Sequence, residues 1–234
     1  FPYTTLFRSV PTHLGLILDG NRRWAKDKGL PTMEGHKKGY ENLKTVAKYA
    51  FDRGVKYVSA YVFSTENWKR STEEVDYLMK LLIWVSKNEI KELDKQNIKV
   101  QFLGEEERLS PSVLKAMASA EERTKDNTGG TLLLCLNYGG QQEIATAVNK
   151  LLAKDSGITE ITPELIEKNL YRPEVPAVDM IIRSSGEQRI SNFMLWRAAY
   201  SELYFTDVHW PAFTEADMQT ALDDFAARQR RFGK

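Results

Sequence analysis

Between His13 and Gly29 the chain reads HLGLILDGNRRWAKDKG. A short aliphatic run ends on a lone acid, turns through Gly-Asn and continues into arginines. Asp19-Gly20-Asn21 is therefore a strand-to-helix turn, with Arg22, Arg23 and Trp24 in the first turn of the helix. Amides at a helix start lack intrahelical partners and carry partial positive charge, so such a turn can cradle a phosphate. An aspartate at its centre repels that phosphate unless a divalent cation lies between them.

A second cluster lies in IIRSSGEQRIS, where Arg183, Arg189 and Ser191 share one short turn. Guanidinium forks match phosphate oxygens, and a diphosphate could engage both arginines. Pairing with Glu187 at the surface explains them as well on residue type alone. A third stretch, FSTENWKRS, is either an ordinary loop plugged by Trp68 or a flap carrying Ser64, Asn67 and Arg70 over a ligand. His36 opens a helix near the first turn, while His13 and His209 read as structural. Zinc-ligand spacing, nucleotide-binding glycine fingerprints and a serine nucleophile elbow are all absent from the sequence.

The elements that must hold these residues alternate. Strand patterns cover Leu14–Asp19, Tyr57–Phe63, Ile98–Leu103, Leu132–Asn137, Asp179–Ile182 and Leu203–Asp207. Helical patterns cover Gly35–Arg53, a long stretch capped by Ser71 with Glu74 and running to Ile90, then Pro111–Lys125, Gln141–Ala153, a short one opened by Thr162-Pro163, and Glu215–Arg228. Alternation predicts an α/β fold: a single domain with a mostly parallel sheet of about six strands covered by helices. Ligands of such sheets collect beyond the carboxyl ends of the strands. Asp19, the Ser64–Arg70 stretch, Asn137-Tyr138-Gly139-Gly140 and the Arg183–Arg189 stretch all fall there.

Composition sets bounds. The 234 residues are 42% hydrophobic and 28% charged with a formal net charge of +1, which supports a sizeable core and gives no sign of nucleic-acid binding. One cysteine, Cys135, excludes an internal disulfide and reads as a small buried residue; a reducing, cytoplasmic compartment is the expectation. No apolar run reaches the ~20 residues of a membrane span. Residues 1–9, FPYTTLFRS, are expected to be non-native or disordered.

HLGLILDGNRRWA, GHKKG, YVFSTENWKRS, LNYGGQQEI, IIRSSGEQRISNFMLWRAAYSELYFTDVHWPAF and the closing RRFG together resemble the cis-prenyltransferases, in order from about His13 to Gly233. The resemblance implies a catalytic domain over residues 10–234 and condensation of isopentenyl diphosphate with an allylic prenyl diphosphate such as farnesyl diphosphate. It implies a Z-polyprenyl product of undecaprenyl or related length, Mg²⁺, a homodimer and a hydrophobic tunnel for the growing chain. It also brings an expectation of peripheral contact at the inner face of a membrane for product release. By the same likeness Asp19 is the Mg²⁺ ligand, and Asp19, Asn67 and Ser64 are catalytic. Gly20, Asn21, Arg22, Arg23, Trp24, His36 and Arg70 bind the allylic diphosphate. Arg183, Arg189, Ser191, Arg231 and Gly233 bind isopentenyl diphosphate, and Glu202 supports the metal and headgroup region across the dimer. The base that removes the proton stays open among Asp19, Ser64 through a neighbour, and a diphosphate oxygen.

The chain departs from the family's usual residues at Arg22 (glycine), Thr32 and Gln141 (both arginine) and Ser71 (proline). Arg22 either replaces the charge missing at Thr32 or faces solvent. Asp19, standing at a turn, is expected to be exposed and to contribute little stability. Two other readings compete with this one. A catalytically poor regulatory relative is disfavoured by the presence of Asp19. An all-α trans-type synthase is disfavoured by the α/β alternation and by Asp223-Asp224 lacking a further aspartate.

Overall fold

The computed structural model describes residues 10–154 and 157–228; the expectations for residues 1–9, Arg231 and Gly233 lie outside the described residues. Six strands form one sheet: β1 (His13–Ile17), β2 (Tyr57–Ser64), β3 (Ile98–Leu103), β4 (Gly130–Tyr138), β5 (Met180–Arg183) and β6 (Glu202–Phe205). Their spatial order is β3-β4-β2-β1-β5-β6, and every pairing is parallel. The helices are α1 (Asn21–Asp27), α2 (Thr32–Asp52), α3 (Thr72–Asn88), α4 (Ile90–Lys95), α5 (Pro111–Thr124), α6 (Gly140–Lys154), α7 (Pro163–Glu167) and α8 (Glu215–Ala227), with a 3-10 turn at Thr65–Lys69.

Both faces of the sheet are covered, which is why β1 and β5 are buried at every position. Strand alternation divides β4 between two cores. Leu132, Leu134 and Leu136 join Leu43, Val75 and Phe63 on one face. Leu133 and Cys135 join Ile181, Phe193 and Met194 on the other. Cys135 is buried, and burial pushes its thiol well above the usual range, so it is not a nucleophile.

Several boundaries differ from the sequence pattern for physical reasons. β1 stops at Ile17, because Asp19 N–H turns back to the Ile17 carbonyl at 2.9 Å and swings Asp19 out of the sheet. The long helix after Ser71 breaks at Glu89 into α3 and α4, although its apolar spacing continues across the break. α2 begins three residues early, at Thr32, and its Gly35 lies against the turn after β1. A Cβ at Gly35 would stand 2.1 Å from the Asn21 carbonyl oxygen. α2 can therefore dock on the start of α1 only through a glycine.

Register places the chemistry at one edge. Ile17 is paired with Tyr61 on one side and Arg183 on the other, and Ser64 with Tyr138. The carboxyl ends of β1, β2, β4 and β5 thus open side by side.

Beneath the sheet's amino end, His13 is fully buried, with Nδ1 2.8 Å from the Pro176 carbonyl and Nε2 2.7 Å from Ser59 Oγ. The carbonyl can only accept, so Nδ1 carries the proton and Nε2 accepts from the Ser59 hydroxyl. Burial pulls this imidazole down from 6.5 to about 4. Between those values the unfolded chain binds the extra proton. Stability is therefore full above about pH 6.5 and falls as pH drops toward about 4, by on the order of 3 kcal/mol from this group. His13→Gln should flatten that slope, measured as urea midpoints near pH 7 and near pH 5. An equal midpoint loss in both proteins would assign the acid sensitivity to other groups.

Candidate active site

The site is built around the turn after β1. Ser184 Oγ and Trp210 N–H both bond the Asp19 carbonyl, at 2.7 and 3.0 Å, so the backbone is pinned from two other loops. The Asp19 side chain accepts from Gly20 N–H at 2.7 Å, from Arg183 Nη2 at 2.8 Å, and lies 3.2 Å from Arg23. Burial pushes its carboxyl up, but the Arg183 hydrogen bond and charge, the Gly20 amide and Arg23 outweigh that and hold it below its ordinary value. It stays ionised at neutral pH.

On one flank of Asp19 the cations meet a single buried carboxylate, Glu74 of α3. His36 Nε2 and Arg70 Nη1 each lie 3.0 Å from Glu74 Oε1, and Arg22 lies 3.9 Å from Oε2. The sequence singled out Glu74 only as a capping residue for Ser71. Its N–H does reach Ser71 Oγ at 3.3 Å, while its carboxylate turns inward to these three groups. The signal for that role was its spacing of four from Arg70, which stands just before the start of α3. Burial lowers the His36 pKa against the opposing pull of Glu74, so the neutral ring donates from Nε2 to the carboxylate. Arg22 stands at the rim, 63% exposed and near the outer limit of ion pairing with the acid that Arg70 meets, and Thr32 lines the same cavity.

The other flank is the loop after β5. Arg183 is 5% exposed and donates to Ser191 Oγ at 2.7 Å and to the Arg189 carbonyl at 2.5 Å, while its Nε is buried without a partner. Arg189 is exposed and paired with Glu187 at 2.5 Å. The surface-pairing reading thus accounts for Arg189, while Arg183 is buried against Asp19 and Ser191. Ser185, Gly186, Ser191, Asn192 and Met194 all take positive φ, a concentration of strained backbone typical of ligand-holding loops.

Asn67 Oδ1 accepts from Ser64 N–H at 3.0 Å and so caps the 3-10 turn; Asn67 and Arg70 line the cavity mouth. Ser64 and Trp24 are not among the lining residues, and Trp24 instead packs under Lys28, 5.6 Å from the ring centre. Glu202 is far from Asp19 along the sheet. It begins β6, level with Met180, and pairs with Arg228 at 2.8 Å. Within one chain it cannot join Asp19 around a metal, because β6 runs parallel to β5 and only its other end approaches the site.

Below the turn a cavity of about 870 Å³ runs between α2, α3 and the sheet. Its mouth carries Asp19, Arg23, His36, Asn67 and Arg70, and its depth Leu43, Leu78, Leu82, Val85, Leu132 and Leu134. That size is near the top of the roughly 300–1,000 Å³ range of small-molecule sites. The arrangement can hold a molecule with an anionic head and a long apolar tail.

A family model described as "Putative undecaprenyl diphosphate synthase" matches residues 17–233. The chain belongs to this prenyltransferase family. An isoprenyl transferase of Thermotoga maritima is 45% identical over 226 residues, 96% of this chain and 97% of the relative. One from Clostridium perfringens is 45% identical over 228 residues, 96% and 90% of the two chains. Among solved structures, lavandulyl diphosphate synthase from Lavandula x intermedia, in complex with dimethylallyl diphosphate, superposes with TM-score 0.92 at 35% identity, covering 97% of this chain and 99% of that one. A "probable undecaprenyl diphosphate synthase" from Campylobacter jejuni gives 0.82 at 28% identity, with 96% and 99% covered. Membership in the family supports prenyl chain elongation. Among the described residues, no helix is long and apolar enough to cross a membrane.

The geometry revises one expectation. Asp19 is 29% exposed and holds a buried arginine, so its loss strands a charge. Asp19→Ala should cost about 3 kcal/mol of stability, and Asp19→Asn, which can still accept from Arg183, about half. Urea unfolding of the two variants without substrate measures this. Equal, negligible losses would mean that the pair contributes nothing to the fold.

Proposed function

We propose that the protein condenses isopentenyl diphosphate with an allylic prenyl diphosphate, farnesyl diphosphate being the expected acceptor, to give a Z-polyprenyl diphosphate of undecaprenyl or related length. One observation carries the reading: Asp19 stands between two sets of guanidinium groups at the mouth of an apolar cavity. Arg22 and Arg70 lie on one side with Glu74 and Arg183 and Arg189 on the other, while Arg23 reaches both Asp19 at 3.2 Å and Glu187 at 3.7 Å; among the described residues, the acids paired with these five arginines are Asp19, Glu74 and Glu187. The surplus positive charge suits two diphosphates. In this reading the allylic headgroup lies against Gly20, Asn21, Arg23, His36 and Arg70 with its tail in the cavity, and the isopentenyl headgroup against Arg183, Arg189 and Ser191. The dimethylallyl diphosphate complex of the lavender enzyme supports an allylic diphosphate as the ligand class. α1 has only seven residues, so side chains rather than a macrodipole carry most of the binding charge.

Condensation breaks the allylic C–O bond, forms a C–C bond to the isopentenyl alkene and releases diphosphate and a proton. Arg23 and Arg70 would stabilise the charge developing on the leaving diphosphate. The residues present fit Mg²⁺, which Asp19, an ionised carboxylate at the cavity mouth, would hold. Bound there, Mg²⁺ would supply charge neutralisation on the leaving group. A carboxylate whose pKa is held down is a weak base. That leaves a diphosphate oxygen as the better proton acceptor, with Asp19 kept for binding. Arg22, facing Glu74 at the rim, would supply part of the charge absent at Thr32.

The proposal includes a homodimer in which Glu202, on an edge strand, serves the partner's site with Arg231 and Gly233. It also includes a cytoplasmic enzyme that releases product at a membrane surface. Incorporation of radiolabelled isopentenyl diphosphate onto farnesyl diphosphate, with thin-layer separation of products, tests the activity. A folded protein that incorporates no label would refute it. Arg189→Ala should raise the KM for isopentenyl diphosphate about tenfold or more and the allylic KM less than about twofold. The opposite order would exchange the two headgroup assignments.

A further inference from the structure

Serine, imidazole and carboxylate stand in series directly behind the Asp19–Gly20 turn. Ser185 Oγ lies 2.7 Å from His209 Nδ1, and His209 Nε2 lies 3.2 Å from Asp27 Oδ2. The three residues come from three segments: the loop after β5, the loop after β6, and the end of α1. A carboxylate can only accept, so Nε2 donates to Asp27, and in the tautomer with its N–H at Nε2 the ring accepts a hydrogen bond from the Ser185 hydroxyl at Nδ1. The series is not a hydrolytic relay. Ser185 is 4% exposed, and no substrate position lies open to its hydroxyl.

Its contacts point to a different use. Gly20 has φ 98, and a Cβ built on it would stand 2.6 Å from Ser185 Oγ and 2.8 Å from His209 Nδ1. The hydroxyl and the ring are therefore packed on the back of Gly20. The Ser185 carbonyl accepts from Arg23 Nη1 at 3.0 Å. Arg23 and Asp27 are one turn apart on α1, so the same helix face meets the loop at Ser185 and the ring at His209. Ser185 itself is held at φ 78, a conformation a serine keeps only when its surroundings insist. Ser185 N–H bonds the Val208 carbonyl at 2.9 Å, which fixes the loop that carries His209.

We infer that His209 is a positioning residue: through Ser185 and Asp27 it fixes the Gly20 turn and the Arg23 guanidinium in the geometry that receives the allylic diphosphate. The inference rests on the placement of that headgroup at the turn after β1. A brace of this kind acts before substrate arrives, so its loss weakens binding at this headgroup and spares the other.

The test compares His209→Leu, His209→Asn and Ser185→Ala with Arg23→Ala as the reference. Asparagine places an amide where Nδ1 stood and can still accept from Ser185. Allylic and isopentenyl KM values are read from turnover, and the dissociation constant of inorganic diphosphate by calorimetry without turnover. His209→Leu and Ser185→Ala should raise the allylic KM and weaken diphosphate binding by roughly three- to tenfold. The isopentenyl KM and the melting temperature should stay near those of the parent, and His209→Asn should recover most of the loss. If Arg23→Ala weakens the allylic KM while His209→Leu and Ser185→Ala do not, the brace is refuted and the headgroup placement stands. If His209→Asn is as impaired as His209→Leu, the bond to Ser185 is not the agent, and the inference is likewise overturned. If Arg23→Ala has no effect on either reading, the headgroup placement fails and takes the brace with it.

Discussion

The ion pair between Asp19 and Arg183 is the interaction on which the site depends. It links the ends of two neighbouring strands, whose register sets Ile17 beside Arg183. Asp19 has already left the sheet at that level, so its carboxylate can turn back across the strand end to the guanidinium. The pair keeps the acid ionised, ties the turn after β1 to the loop after β5, and defines the boundary between the two cationic flanks. Its partial burial makes it a costly pair to break, because Arg183 has no water-exposed position to retreat to.

The cations of the two flanks are held in place by acids of the chain. Glu74 gathers His36, Arg70 and Arg22, and Glu187 holds Arg189. Without such acids the guanidinium groups would repel one another. With them, the diphosphate of the proposed reaction would complete a charge balance already arranged in space, leaving little reorganisation for the moment of binding. The apolar cavity under the mouth then separates the two demands of the ligand class, since charge is met at the sheet edge and hydrocarbon between α2, α3 and β4.

Much of this was legible in the sequence, and the reasons differ by element. The strands could be read because β1, β4 and β5 are aliphatic runs with turn residues after them, the pattern a doubly covered parallel sheet requires. Asp19, Arg23, Arg70, Arg183 and Ser191 could be read because polar residues directly after such runs fall on one edge. The break at Glu89 could not, since its cause is a backbone bend that leaves the apolar spacing intact. Glu74 was hidden behind its capping spacing. Both roles need an acid three residues after Ser71, and only tertiary contacts show where the carboxylate goes. The positive φ values at Ser185, Ser191 and Met194 left no trace in residue type, because glycine does not mark them. Glu202 shows the limit of a motif without geometry. It is close in sequence to the loop that holds Arg189, yet strand direction sets it at the other end of the sheet.

The most direct test of the central claim is a crystal structure with an unreactive allylic thiodiphosphate, isopentenyl diphosphate and Mg²⁺ bound together. The account predicts two separate headgroups, one on the Arg23 and Arg70 side of Asp19 and one on the Arg183, Arg189 and Ser191 side, with the allylic tail in the cavity. Two headgroups on the same side of Asp19, or a tail lying outside the cavity between α2 and α3, would contradict it.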